Sequence, residues 1–161
     1  MISSSTKKKL DLLDNIAKPV FEDLLNRCYD LNLNVQISSS FRSFTEQDKI
    51  YQQGRTLPGK IVSNAKAGTS LHNYRRACDL FILDGKKAIF EEKYYKQIWD
   101  ICLLYELDKR GMFWGGSFAS FKDTPHFEVS FGKSWKEIAS ECGIKISDIQ
   151  QNNWKIYKNY L

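Results

Sequence analysis

The sequence predicts an α+β fold, a small and mostly antiparallel sheet packed with helices. Three observations carry this. Short alternating or apolar runs fit strands. An Asp84-Gly85 dipeptide joins two of them as a hairpin. Helical stretches mix with these strands but lack the strand–helix–strand rhythm of a parallel sheet. At 161 residues the chain suits one domain, stable without metal or disulfide staples.

The elements follow in order along the chain. Thr6 to Leu31 has helical periodicity, with Leu10, Leu13, Ile16, Val20, Leu24 and Leu25 on a related face. Pro19 lies inside this stretch, so it either kinks one helix or starts a second just after Ala17. Asn34 to Ser38 alternates and reads as a strand. Ser43 followed by Glu46 is a capping-box pattern that opens a helix through about Gln53. The Gly-, Ser- and Asn-rich stretch from Gly54 to Ser70 must be a loop. Ala77 to Leu83 and Lys87 to Phe90 flank the hairpin turn. Glu91 to Leu107 is an amphipathic helix with Tyr95, Ile98, Ile101 and Cys102 at core spacing. Two further strands fall at Met112 to Trp114 and His126 to Val129, and two short helices follow Ser134. Trp114, Phe118, Phe121 and Phe127 are expected to be mostly core.

Composition narrows the class. Hydrophobic residues at 42% and aromatics at 14% exclude a disordered chain. A net charge of +5 and a pI near 8.9 make a weakly basic surface, compatible with several anionic partners and selecting none. No nucleic-acid motif is present, so no nucleic-acid partner is expected. No run of eighteen apolar residues exists, so no membrane insertion is expected. The first residues lack an apolar signal core, which implies synthesis in the cytoplasm without a secretion leader. Cys28, Cys78, Cys102 and Cys142 form no Cys-x-x-Cys pair and read as buried free thiols.

Only two histidines occur, His72 and His126, each near carboxylates. Either alone would read as a surface or hydrogen-bonded structural residue. Together they suggest more, because catalytic zinc takes three protein ligands from His, Asp or Glu and keeps a fourth position open. His72 precedes Asp79 by seven residues. On an unbroken strand that odd spacing would set them on opposite faces, so a bend is required, and Asn73-Tyr74 could supply it. Pro125 excludes a helix through Asp123 and His126. Three extended residues span at most about 10 Å, so Asp123 and His126 can share one site. Spacing makes the arrangement feasible and no more.

The segments SLHNYRRACD, from Ser70 to Asp79, and DTPHFE, from Asp123 to Glu128, resemble the paired signatures of the M15 metallopeptidases. The L-alanyl-D-glutamate peptidase branch, found in phage endolysins and bacterial wall hydrolases, is the most similar. SSSFRSFTEQDKIYQQGRT, PGKIVSNAKAGTSLHNY and FWGGSFASFKDTPHFE fit in the same order, so the resemblance runs from about Val35 to Glu128. It implies a hedgehog/D-Ala-D-Ala-peptidase-like fold and one Zn²⁺ held by His72, Asp79 and His126. It makes Asp123 the catalytic base and Arg42 a group that steadies substrate and developing charge. Gln47 and Ser70 would support the site. The implied reaction is hydrolysis of the peptidoglycan stem peptide at the L-alanyl-D-glutamate bond. A D,D-carboxypeptidase acting on D-Ala-D-Ala ends is the alternative, and a non-catalytic wall-binding module is a further one. A monomer acting on the cell wall after release, as in phage lysis of a host, completes the expectation.

Two parts of the chain stand apart from the family pattern. The family has Gly where this chain has Arg75, followed by Arg76. Either that position needs positive φ and Arg75 is strained, or the two charges lie at the mouth and attract wall carboxylates. Residues 134–161 form a helical extension expected to pack on a catalytic unit of residues 1–133. Its sequence faintly echoes a LysM repeat but is too short after Asn153 to complete one, and it is assigned no binding function.

Overall fold

The computed structural model describes residues 2–161; Met1, the first residue of the expected 1–133 unit, lies outside the described residues. The chain opens with two helices, α1 (Ser4–Leu10) and α2 (Ala17–Asp30). Asp14 separates them. Its Oδ1 accepts the N–H groups of Ile16 at 3.1 Å and Ala17 at 2.7 Å, satisfying donors at the start of α2. Pro19 therefore sits in a first turn, where its missing N–H costs nothing, and the two-helix alternative holds.

Five strands build one antiparallel sheet: β1 (Val35–Ser39), β2 (Ala77–Asp84), β3 (Lys87–Ile89), β4 (Met112–Trp114) and β5 (His126–Val129). The order is β1-β2-β5-β4, with β3 folded back onto the far half of β2 through the Asp84–Lys87 hairpin. Gly85 makes that turn at φ 58°. Alternation sorts the strands by face. Ile37, Cys78, Leu80, Ile82, Phe127, Val129, Met112 and Trp114 are buried on one face in the main core. They pack with α2 and with α4 (Glu92–Leu104), which supplies Tyr95, Ile98, Ile101 and Cys102. The helix stops short of the expected Leu107. Glu106 turns to φ 56°, and the N–H of Leu107 bonds back to Cys102 O at 2.9 Å, a Schellman-type end.

A second core lies beyond the sheet's first residues. Phe44 of α3 (Phe44–Gln52), Leu71, Tyr74 and Ala77 pack there with Ile138, Ala139, Ile144, Ile149 and Trp154. The last five come from α5 (Trp135–Glu141), α6 (Ile146–Gln150) and the links after them. Both α3 and α5 begin with a complete capping box, Ser43 with Glu46 and Ser134 with Glu137. Cys28, Cys78 and Cys102 are buried free thiols, but Cys142, the C-cap residue of α5, is exposed.

Arg75 occupies the left-handed region, at φ 62° and ψ 28°, directly after a 3₁₀ turn over Leu71–Tyr74. The position does need positive φ. Its side chain is held elsewhere than at a cleft mouth: Cζ lies 3.9 Å from the Phe41 ring centroid, and Nη1 donates to Leu12 O at 2.9 Å. Arg76 is buried and pairs with Asp14. The attraction of wall carboxylates to this arginine pair is thus overturned, since both guanidinium groups are spent on the link between α1 and α2 and on Phe41. Arg75→Gly and Arg75→Ala lose the same side-chain contacts and differ in backbone tolerance of positive φ. The glycine variant is expected to be the more stable by about 1 kcal/mol, a Tm gap of about 2–4 °C in thermal unfolding followed by circular dichroism.

Candidate metal centre

Three pieces of backbone meet on the face of the sheet opposite the main core. His72 sits in the 3₁₀ turn before β2, not on a strand. The turn and the left-handed Arg75 together supply the bend that the spacing to Asp79 demanded. Asp79 of β2 is paired directly with His126 of β5 across the ladder, and with Ser39 of β1 on its other side. A register irregularity in β1 between Ile37 and Ser39 lets that strand turn away toward Arg42. The Asp123–His126 segment closes as a turn, with the N–H of His126 on Asp123 O at 3.1 Å. Gly115 makes room for it: a Cβ there would stand 2.5 Å from Asp123 O and 3.0 Å from His126 Cβ. Trp114 also anchors this turn, donating Nε1–H to Thr124 O at 2.7 Å.

The donor atoms converge. His72 Nε2 lies 3.2 Å from Asp79 Oδ1 and 3.2 Å from His126 Nδ1, and His126 Nδ1 lies 3.5 Å from Asp79 Oδ1. A tetrahedral zinc with bonds of about 2.0–2.1 Å has ligand–ligand edges of about 3.3–3.4 Å. The set therefore fits one tetrahedral divalent ion with a fourth direction left for another ligand. Among the described residues it is the only such His/Cys/Asp/Glu group.

The groups behind the donors fix their tautomers. His72 Nδ1 lies 2.6 Å from Ser40 O, so it carries the proton and leaves Nε2 free. His126 Nε2 lies 3.1 Å from Glu128 Oε2, which frees Nδ1 in the same way. Glu128 was not singled out from sequence, although His-x-Glu on a strand places both side chains on one face. Asn73, fully buried, is the other omission. It accepts from the Gly68 N–H at 3.0 Å and donates to Arg42 O at 2.7 Å, tying the turn that carries His72 to the start of α3.

Charge is concentrated here. Burial alone would raise the Asp79 carboxyl, but His72 and His126 outweigh it and hold Asp79 well below the usual carboxylate range. Burial likewise disfavours a charged His126, yet hydrogen bonds to Asp79 and Glu128 push it up to about 10. Asp123 lies above the ordinary range, mainly from burial and with a smaller push from Asp79, against the pull of His126 and Arg42.

The remaining candidates fall around a cleft of about 910 Å³ over these residues. Asp123 and Arg42 line it beside the donor set. Arg42 Nη2 donates to Asp79 Oδ2 at 3.2 Å, and its Nη1 donates to Gln47 Oε1 at 2.9 Å. Gln47 is fully buried and donates in turn to Ala65 O at 2.7 Å, bracing the loop over the cleft. Ser70 lines the wall, and its carbonyl accepts from Asn73 at 3.0 Å while its side chain caps nothing. Phe118 and Phe121 line the cleft also, unlike Trp114 and Phe127, which are core.

A peptidase M15 family model, described as D-alanyl-D-alanine carboxypeptidase, matches residues 63–129. Over 104 residues, 60% of the chain, the sequence is 39% identical to the peptidoglycan L-alanyl-D-glutamate endopeptidase CwlK of Bacillus subtilis (strain 168). The match takes in 61% of that relative's length. The fold resembles the Serratia marcescens L-Ala D-Glu endopeptidase ChiX, with a TM-score of 0.62 and 21% identity over 81% of this chain and 90% of that one. It also resembles the vancomycin-resistance D,D-pentapeptidase VanY, solved in complex with Zn(II), at a TM-score of 0.52 and 14% identity. That likeness covers 86% of this chain and 83% of the other. At these identities both likenesses speak to the fold alone.

Replacing Glu128 by Gln leaves shape but weakens the hold on the His126 tautomer. Zn²⁺ affinity, measured by competition with a chelating dye, is expected to fall about 10–100-fold, with the metal-free circular dichroism spectrum unchanged.

Proposed function

We propose that this chain, which carries an M15 peptidase family domain, is a zinc-dependent endopeptidase that cuts the peptidoglycan stem peptide at the L-alanyl-D-glutamate bond. One observation carries the chemistry: His72 Nε2, Asp79 Oδ1 and His126 Nδ1 converge at 3.2–3.5 Å in a cleft that Asp123 also lines. The choice of bond is supported by the 39% identity to CwlK, named for that bond. A zinc ion held by these three residues would supply a Lewis acid that makes water nucleophilic at neutral pH and polarises the scissile carbonyl.

The protein groups do the rest. Asp123 takes the proton of the attacking water and returns it to the departing amine, so the leaving group departs neutral. Its half-buried position and raised proton affinity suit this double role. Arg42 is first a positioning residue. By holding Asp79 Oδ2 it turns Oδ1 toward the two histidines. Its place on the cleft wall also lets its positive charge act on the developing oxyanion. Ser40 O and Glu128 keep the imidazoles oriented, so the donor set needs little rearrangement to take a metal. We place its action at the cell wall.

The same donor set serves D,D-carboxypeptidase chemistry, and VanY shares the fold, so that reading stays as the second one. Purified sacculi incubated with the protein are expected to yield new D-glutamate amino termini, and a chelator to abolish them. Free D-alanine in their place would select the carboxypeptidase reading. Asp123→Asn is expected to retain zinc and to lose about 10²–10⁴-fold in turnover. Wall digestion at the parental rate by that variant would overturn the role given to Asp123.

A further inference from the structure

The cleft wall bears only two Lys or Arg side chains among the described residues, Arg42 and Lys133. They are not equivalent. Both terminal nitrogens of Arg42 are committed, Nη1 to Gln47 and Nη2 to Ser39 and Asp79. Lys133 instead pairs with Glu141 of α5, and both side chains are close to half exposed. Exposed pairs of this kind contribute about 0–1 kcal/mol, so a substrate anion can displace Glu141 at little cost.

The two cations also sit differently along the cleft. Phe90, stacked on Phe81 with ring centroids 5.9 Å apart, marks the side toward the β2–β3 hairpin. Lys133 follows the exit of β5, which pairs antiparallel with β2 and leaves past Ala77. The Asp79–His126 pair lies between the two. Aromatic residues line the cleft on both sides, Trp135 standing two residues from Lys133, so the exchangeable cation is what distinguishes the C-terminal side.

We propose that Lys133 recognises the free carboxylate of the substrate's D-glutamate and so sets which side of the scissile bond lies toward the C-terminal helices. The inference rests on the function proposed above. D-glutamate in an L-alanyl-D-glutamate peptide has two carboxyl groups. One continues the chain and the other is free, on the same residue whose amine the cleavage releases. That anion needs a cationic partner other than Arg42, whose guanidinium is already committed to Gln47, Ser39 and Asp79. Lys133 supplies that partner, and the segment that begins the C-terminal helices becomes part of the substrate cleft.

Two synthetic stem peptides test this, identical except that one has the free D-glutamate carboxylate replaced by its amide. The zinc-loaded parent protein is expected to show a KM about two- to five-fold lower for the carboxylate peptide. Lys133→Gln is expected to raise KM for that peptide and close the gap, whereas Glu141→Gln, which releases Lys133, keeps or widens it. A parent protein that treats the peptides alike overturns the proposal. So does a Lys133→Gln variant that keeps the gap, or a gap that closes equally in both variants with a lowered Tm, which marks a structural ion pair. Cleavage of neither peptide by the parent overturns the proposed function itself, and this inference with it.

Discussion

The site depends above all on the register of β2 against β5. Asp79 faces His126 across the ladder, while Cys78 faces Phe127 and points the other way into the main core. A slip of one residue would move Asp79 into apolar surroundings and bring Cys78 to the metal position, because side chains alternate with a period of two. The apolar set of Cys78, Leu80, Ile82, Phe127 and Val129 therefore fixes the polar set as well. Burial of one face sets the chemistry of the other.

Around this pair buried polar side chains are satisfied by main-chain carbonyls. His72, Asn73 and Gln47 are all buried, and each finds main-chain partners: Ser40 O, Arg42 O and Ala65 O. A buried polar side chain left without such partners would be costly. The three carbonyls belong to the ends of β1, the start of α3 and the loop over the cleft, so one network holds the histidine, the arginine and the cleft wall together.

The C-terminal helices have a similar double part. Ile138, Ala139, Ile149 and Trp154 cover Phe44, Leu71, Tyr74 and Ala77, which lie beneath α3 and the turn carrying His72. Phe44 meets Tyr74, Trp154 and Tyr160 in one aromatic cluster, with centroid distances of 5.3–6.2 Å. Packing density here supports the His72 turn from behind, and the same segment places Lys133, Ser134 and Trp135 on the cleft wall.

Much was legible in the sequence, and for physical reasons. Period-two runs and the Asp84-Gly85 turn located the strands. Ser43 with Glu46 located α3, and two histidines in ordered motifs named the residues that meet at the metal position. These are local signals: propensity, periodicity and spacing each act within a few residues. Three things were decided only by tertiary structure. Asp14, whose side chain caps the start of α2 locally, is also held by Arg76 from 62 residues away. Arg75 proved to answer a backbone need for positive φ, with its charge spent on Phe41 and Leu12. The supporting roles of Asn73 and the Ser40 carbonyl arose from contacts between segments up to 32 residues apart. Such contacts depend on how the sheet closes, and a linear pattern holds no record of that closure. The sequence by itself determined which residues could hold a metal; the folded backbone decided how they are aimed.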